Sequence, residues 1–303
     1  MISQQKEPPQ KWTVVELINW TADYLKDKGL DNGRLIVERL LAHTLQVDRV
    51  HLYLKFDRPL DSEELSAFKA KLKRRLSHEP LQYIVGEAEF MSLPFHVSPG
   101  VLIPRPETEV LVEACLKLCR QEFGQPDRID ILDIGTGSGN IAIALAKNLN
   151  CAYITAIDSS AEAIKVAREN AALNDVSDKI EFVHSPIEEF SLAEHGHCFD
   201  VVVSNPPYVT KSEYASLPPE IRDYEPEEAL LAGEDGLDIY RKISVILRQL
   251  LKPNGAAFFE IGAHQGQSVQ TLFAKEKFAH SEIIKDLAGL DRVLMLKQTR
   301  TVE

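Results

Sequence analysis

Four cysteines in 303 residues are too few, and too irregularly placed, to build a fold on. Cys115, Cys119, Cys151 and Cys198 show neither paired metal-ligand spacing nor a disulfide framework. Cys115 and Cys119 share a helix face, and with no histidine or second cysteine pair nearby they read as core packing. His184, His195, His197 and His264 are isolated and fit no catalytic triad or metal site, so they read as structural or solvent-facing. No stretch approaches the roughly 20 apolar residues of a membrane span. Met1-Ile2-Ser3-Gln4-Gln5-Lys6-Glu7 lacks a secretory hydrophobic segment. The expectation is a cytoplasmic protein.

Positive charge is scarce as well. Residues 1–90 hold 14 basic and 14 acidic side chains, so the remaining 20 basic and 32 acidic ones carry the whole net charge of -12. Such a surface repels phosphate backbones and argues against a nucleic-acid partner held mainly by electrostatics.

What is present is an ordinary globular composition, 44% hydrophobic and 26% charged, in a chain longer than one average domain. Three amphipathic helices open it. Val14, Ile18, Trp20, Ala22 and Leu25 mark the first, and Ile36, Leu40, Leu41 and Leu45 the second. The third starts at Asp61, with Glu64 completing a capping box, and carries Leu65, Phe68, Leu72 and Leu76. Its basic residues, Lys69, Lys71, Lys73, Arg74 and Arg75, form either a solvated face or a dock for an acidic partner. Short alternating runs between 82 and 106 then predict a hairpin. In Val101-Leu102-Ile103-Pro104-Arg105-Pro106-Glu107-Thr108-Glu109, two prolines stiffen the loop around Arg105. That arginine is either an ion-pair anchor or part of a lid.

From 129 onward strands and helices alternate, the pattern of a doubly wound α/β domain. Strands are expected at 129–134, 152–157, 179–184, 200–204, 256–261, 282–285 and 292–296, and helices at 141–149, 163–173 and 236–251. After the first strand comes Gly135-Thr136-Gly137-Ser138-Gly139, a loop whose backbone can approach a ligand closely. Its spacing is not the G-x-G-x-x-G of dinucleotide binding, and Asp133 ahead of it repels a pyrophosphate and favours a cation. S-adenosylmethionine has an amino group, a sulfonium and no phosphate. Asp158, about 20 residues beyond the loop, stands where an acid grips ribose hydroxyls.

The fourth strand runs into Asn205-Pro206-Pro207-Tyr208. A planar NH2 group is a poor nucleophile because its lone pair is delocalised, so a protein that uses it must fix both hydrogens. The Asn205 side-chain carbonyl can accept one and the Pro206 backbone carbonyl the other. The two prolines hold φ and remove competing N–H donors. Tyr208 offers a flat apolar wall. A proline-rich turn would be the structural alternative, but here the tetrapeptide follows a buried-type strand downstream of a glycine loop.

Taken together, Leu102-Ile103-Pro104-Arg105-Pro106-Glu107-Thr108-Glu109, the Asp133–Gly139 segment and Asn205-Pro206-Pro207-Tyr208-Val209 resemble the release factor glutamine methyltransferases, the HemK or PrmC family. The resemblance implies an α/β fold: a Rossmann-like seven-stranded class I methyltransferase domain at 107–303, preceded by a small all-α, substrate-recruiting domain at 1–81 and a β-hairpin linker at 82–106. It also implies S-adenosyl-L-methionine as methyl donor, without metal. The acceptor would be the glutamine of the Gly-Gly-Gln motif in bacterial class I peptide chain release factors, methylated at N5.

Catalysis is then expected at Asn205, Pro206 and Tyr208. Substrate contacts fall to these residues with Pro207 and Arg105. Cofactor contacts fall to Asp133, Gly135, Thr136, Gly137, Ser138, Gly139, Asp158, Ile187 and Asn205. Two positions depart from the family: Pro186-Ile187 replaces an acidic residue followed by an aromatic near the adenine, and Met91 replaces an aromatic. The alternatives are an N5-glutamine methyltransferase of a ribosomal protein, an adenine-N6 nucleic-acid methyltransferase, and a non-catalytic adaptor that keeps the fold.

Overall fold

The computed structural model describes residues 11–123, 126–190, 198–276 and 278–298. The chain divides into two compact units, Met1–Gly86 and Glu87–Glu303. His195 and His197 lie outside the described residues, as does the 1–7 segment.

The first unit contains five described helices, where periodicity predicts three: α1 (Val14–Asp27), α2 (Gly33–Leu45), α3 (Arg49–Leu54), α4 (Ser62–Leu76) and α5 (Leu81–Val85). The two unexpected ones are six and five residues long, too short for a repeating apolar stripe. Start signals are explicit elsewhere. The Thr13 side chain accepts from Glu16 N–H while Glu16 reaches back to Thr13 N–H, and Asp61 with Glu64 repeats this reciprocal box. Val14, Leu17, Ile18 and Leu25 of α1 pack with Ile36, Val37, Leu40 and Leu41 of α2 and with Phe68 of α4. Trp20 and Ala22 are only half-buried; Trp20 stacks on Tyr24 instead, with ring centroids 5.5 Å apart.

The second unit opens with a hairpin, β1 (Glu87–Phe90) and β2 (Leu93–His96). Met91 and Ser92 form its turn with φ of 51° and 60°, the doubly left-handed geometry that matches strand twist. Met91 packs against the core and its N–H donates to Glu109. The hairpin is tied to α8 (Ala161–Leu173) through Asn170, which accepts from His96 N–H at 2.6 Å and donates to the His96 carbonyl at 3.0 Å.

The sheet has seven strands. In chain order these are β3 (Ile129–Ile134), β4 (Ala152–Asp158), β5 (Ile180–His184), β6 (Phe199–Ser204), β7 (Leu251–Glu260), β8 (His280–Lys285) and β9 (Asp291–Lys297), arranged in space as β5-β4-β3-β6-β7-β9-β8. β3 to β7 are parallel, but β9 runs antiparallel to both β7 and β8, so the sheet is mixed. The reason is the short β8–β9 connection, where the Asp286 carboxylate accepts from Ala288 N–H and Leu290 N–H. A turn that tight forces antiparallel pairing.

Between the strands run α6 (Glu109–Glu122), α7 (Asn140–Asn148), α8, the short α9 (Lys211–Tyr214) and α10 (Pro219–Arg222), then α11 (Asp238–Leu250) and α12 (Gly266–Ala274). One core holds β3 and β7 residues against α6 and α7, including Cys115 and Cys119; the other packs α11 and α12 on the opposite face. Strand order reverses between β3 and β6, which are neighbours in space but not in sequence. That junction is where open α/β sheets leave a crevice beyond their carboxyl ends.

Candidate active site

The register places the two key loops side by side. Ile134 pairs with Ser204, and the Ser204 hydroxyl donates to the Ile134 carbonyl at 2.7 Å. The glycine loop and Asn205 therefore leave the sheet at one level.

On the β3 side, Gly135, Gly137 and Gly139 have φ of 71°, 56° and 83°, a region that side chains other than glycine rarely adopt. A Cβ on Gly135 or Gly137 would meet no protein atom within 4 Å, whereas one on Gly139 would press on Ile143 and Ala167 at 3.0 and 3.2 Å. The first two glycines keep a cradle open and the third allows tight helix packing. Asp158 at the tip of β4 accepts from Gly137 N–H and from Ser160 N–H, each at 2.8 Å, one per carboxylate oxygen. Burial raises its pKa and the two amides oppose that. One lone pair of each oxygen is left for a diol.

A cavity of about 270 Å³ opens here. Gly135, Thr136, Gly137, Ser138 and Asp158 form one wall; Ser185, Pro186 and Ile187 line it beyond β5, and Ile157 and Ile239 add apolar surface. The buried Ser138 hydroxyl has no hydrogen-bond partner among the described residues. A diol acceptor, an open glycine cradle, an unpaired hydroxyl and an apolar slot fit a nucleoside bearing a polar tail. Asp133 does not line this cavity. It is fully buried behind the loop, accepts from the Thr136 hydroxyl at 2.7 Å, and has its carboxyl pushed up to about 7 by burial. Gly139 also stands behind the wall.

On the β6 side lies a smaller cavity of about 40 Å³, lined by Pro206, Tyr208, Val209, Leu230 and Glu260. Asn205, Pro207, Leu102, Arg105 and Ala229 line both cavities. Arg105 pairs with the buried Glu225, whose other oxygen accepts from Ile103 N–H at 3.2 Å. Arg105 is thus an ion-pair anchor and a wall residue at once. Burial raises the Glu225 pKa against the Arg105 charge.

Four residues that sequence reasoning missed hold the Asn205–Tyr208 loop. The Asn205 side-chain NH2 donates to the Thr108 hydroxyl at 3.1 Å, and that hydroxyl donates to Glu260 at 2.6 Å. The Gln265 side-chain NH2 donates to the Tyr208 carbonyl at 2.9 Å. A Cβ on Gly236 would sit 2.4 Å from that same carbonyl, so only glycine fits. The readable signal was Glu260, a lone acid closing the apolar run Ala256-Ala257-Phe258-Phe259. Tyr208 is half-buried; its hydroxyl donates to Glu260 at 3.4 Å, and burial, then the Glu260 charge, raise its pKa.

The remaining candidates are peripheral. His184 is exposed with its ring nitrogen 3.0 Å from the Ser159 carbonyl, and His264 is exposed. Arg74 pairs with Glu79, and Arg75 donates to the Glu79 carbonyl at 3.1 Å. Among the described residues no three His, Cys, Asp or Glu side chains converge on a metal position, and no helix is long and apolar enough to cross a membrane.

Known proteins share both the parts and their order. Residues 16–86 match the PrmC N-terminal domain family and residues 126–288 match a methyltransferase domain family. A release factor glutamine methyltransferase of Geobacter sulfurreducens is 42% identical over 288 residues, covering 95% of this chain and 98% of that protein. One of Chlorobaculum tepidum is 43% identical over 290 residues, with the same two coverages. The fold alone is shared with the hMettl16 catalytic domain, solved in complex with a MAT2A 3'UTR hairpin, at 19% identity, a TM-score of 0.53 and coverage of 80% of this chain and 84% of that one. Identity of this extent along nearly the whole chain, over loops that converge on two adjoining cavities, makes this chain a member of the release factor glutamine methyltransferase family.

Proposed function

We propose that this chain transfers a methyl group from S-adenosyl-L-methionine to the N5 side-chain nitrogen of a glutamine in the Gly-Gly-Gln motif of a bacterial class I peptide chain release factor. The observation that carries this reading is the sharing of Asn205, Pro207 and Arg105 between a nucleoside-sized cavity and a smaller one beside it.

When bound, S-adenosylmethionine supplies an electrophilic methyl group. The glycine cradle and Asp158 hold it, with the Asp158 carboxylate on the ribose hydroxyls and the Ile157, Ile187 and Ile239 surface against the base. Pro186-Ile187 provides no acid for the adenine amine; Glu188, the next residue, lines the same cavity. Asp133, one layer behind, braces the loop through the Thr136 hydroxyl.

In the smaller cavity Asn205 Oδ1 and the Pro206 carbonyl each accept one hydrogen of the glutamine carboxamide. Asn205 lines both cavities, so an amide held there has its nitrogen beside the larger one. Tyr208 packs on the amide plane. No side chain needs to act as base, because the nitrogen becomes acidic as its new bond to carbon forms and then loses its proton to water. The acceleration comes from orientation and exclusion of water, for which about 7 to 11 kcal/mol is the ceiling.

The first unit recruits the release factor. The protein works in the cytoplasm, without metal and without direct nucleic-acid binding, in keeping with the acidic balance of residues 91–303. Methyl transfer from labelled donor to purified release factor, located by mass spectrometry, tests the substrate. Asn205→Ala tests the mechanism: single-turnover rate should fall at least about 100-fold while donor affinity by calorimetry stays near wild type. An unchanged rate would refute the amide clamp.

A further inference from the structure

We propose that Thr108 and Glu260 are positioning residues for the acceptor site: an ionised Glu260 carboxylate holds the Thr108 proton, and Thr108 thereby obliges Asn205 to present its carbonyl, not its NH2, to the incoming amide. The inference rests on the amide clamp described above.

A carboxamide is nearly symmetric in shape, so packing alone does not choose between its two orientations, and the choice falls to hydrogen bonding. Thr108 is buried and its hydroxyl has one proton. That proton is committed to Glu260 at 2.6 Å, leaving only lone pairs toward Asn205 at 3.1 Å. The Asn205 group facing Thr108 must then be the NH2, and Oδ1 is left for the substrate. An ionised carboxylate, which can only accept, is what fixes the sense of this chain of bonds.

Protonation of Glu260 releases it. The carboxyl becomes a donor to Thr108 Oγ1, the Thr108 proton is freed toward Asn205, and the amide is stable in the reversed orientation. Substrate NH2 then meets Asn205 NH2, donor against donor.

The groups around Glu260 set where this happens. The Tyr208 hydroxyl donates to its other oxygen at 3.4 Å, and the Tyr240 hydroxyl donates to its backbone carbonyl at 2.6 Å. Burial pushes the carboxyl up to about 7; the Thr108 hydroxyl and the Arg292 charge pull it down, and Glu107 pushes it up. The clamp-competent form is therefore the one present above that value, and transfer should slow as pH falls through it.

The experiment is single-turnover methyl transfer to purified release factor between about pH 5.5 and 9, with NMR of the protein alone. Wild type should show one inflection near 7, and the Asn205 side-chain nitrogen resonance should titrate in step with the Glu260 carboxyl. Glu260→Gln should lose the inflection and be roughly 10- to 100-fold slower at alkaline pH, with donor affinity by calorimetry preserved. Thr108→Ser should keep the wild-type profile, while the isosteric Thr108→Val should lose both rate and the coupled NMR titration. The Thr108 pair decides the matter if Glu260→Gln does not fold.

An inflection near 7 that survives in Glu260→Gln and again when Asp133→Asn is added, or wild-type rate and profile in Thr108→Val, would overturn the proposal. If Asn205→Ala is inactive while Thr108→Val is normal, the relay alone fails. If Asn205→Ala is fully active, the clamp fails first.

Discussion

The two ends of the site are built on the same local device, a buried carboxylate accepting from a threonine hydroxyl, and they use it differently. At the donor end Thr136 returns to Asp133 three residues away, and the pair stiffens the glycine loop it belongs to. At the acceptor end Thr108 bridges Glu260, 152 residues away, and Asn205, 97 residues away. On the proposed reading, donor binding relies on a glycine-loop backbone and one nearby carboxylate, Asp158, whereas acceptor orientation relies on side chains delivered by three distant segments. Substitutions should therefore separate the ends: backbone changes near β3 should act on donor affinity, and changes near β6 on turnover.

The largest expected separation comes from Gly137→Val. The φ of 56° disfavours a β-branched residue, and the N–H held by Asp158 would be displaced. Donor affinity should fall on the order of 100-fold, since strain of about 1 to 3 kcal/mol adds to a lost charge-assisted hydrogen bond. Calorimetry reads this directly. An affinity within a few-fold of wild type would mean that the cradle is not where the donor sits.

Gly236→Ala is the counterpart at the other end, and a smaller effect. Its Cβ would stand 2.4 Å from the Tyr208 carbonyl and 2.5 Å from Gln265 Nε2, at a φ of 73°. The Asn205–Tyr208 loop must shift by a few tenths of an ångström or more. Turnover should fall about 10-fold with donor affinity unchanged, in stopped assays run beside the same calorimetry. Equal losses in both quantities would show that the ends are not separable.

This division also marks what could be read from the sequence. The donor end was legible because its determinants are local: an apolar strand, glycines at fixed spacing and an acid one strand later. Asn205 was legible for the same reason. Thr108, Glu260, Gln265 and Gly236 were not, since their meaning arises only when segments distant in the chain are set side by side. The antiparallel insertion of β9 between β7 and β8 escaped similarly: period-2 alternation predicts a strand but says nothing of its neighbour. The short helices α3 and α5 escaped because less than two turns cannot display a period.

The last comparison concerns stability rather than activity. Asp133 is fully buried with its carboxyl raised to about 7, from an ordinary value of 3.8. The folded state therefore binds a proton between those values that the unfolded chain releases. The Asp133 contribution to stability falls as pH rises from about 4 to 7 and levels off above, by roughly 4 kcal/mol at most. Asp133→Asn cannot titrate, so the variant should lose this slope and gain on wild type at pH 8 relative to pH 5. Chemical denaturation of the donor-free protein at the two pH values measures the difference. The Thr136 bond survives in the variant because an amide oxygen still accepts, so the loop should keep its shape and turnover should change by only a few-fold. A large loss of turnover would give Asp133 a direct part in holding the donor's positive charge, and the donor end would then depend on a buried side chain as the acceptor end does.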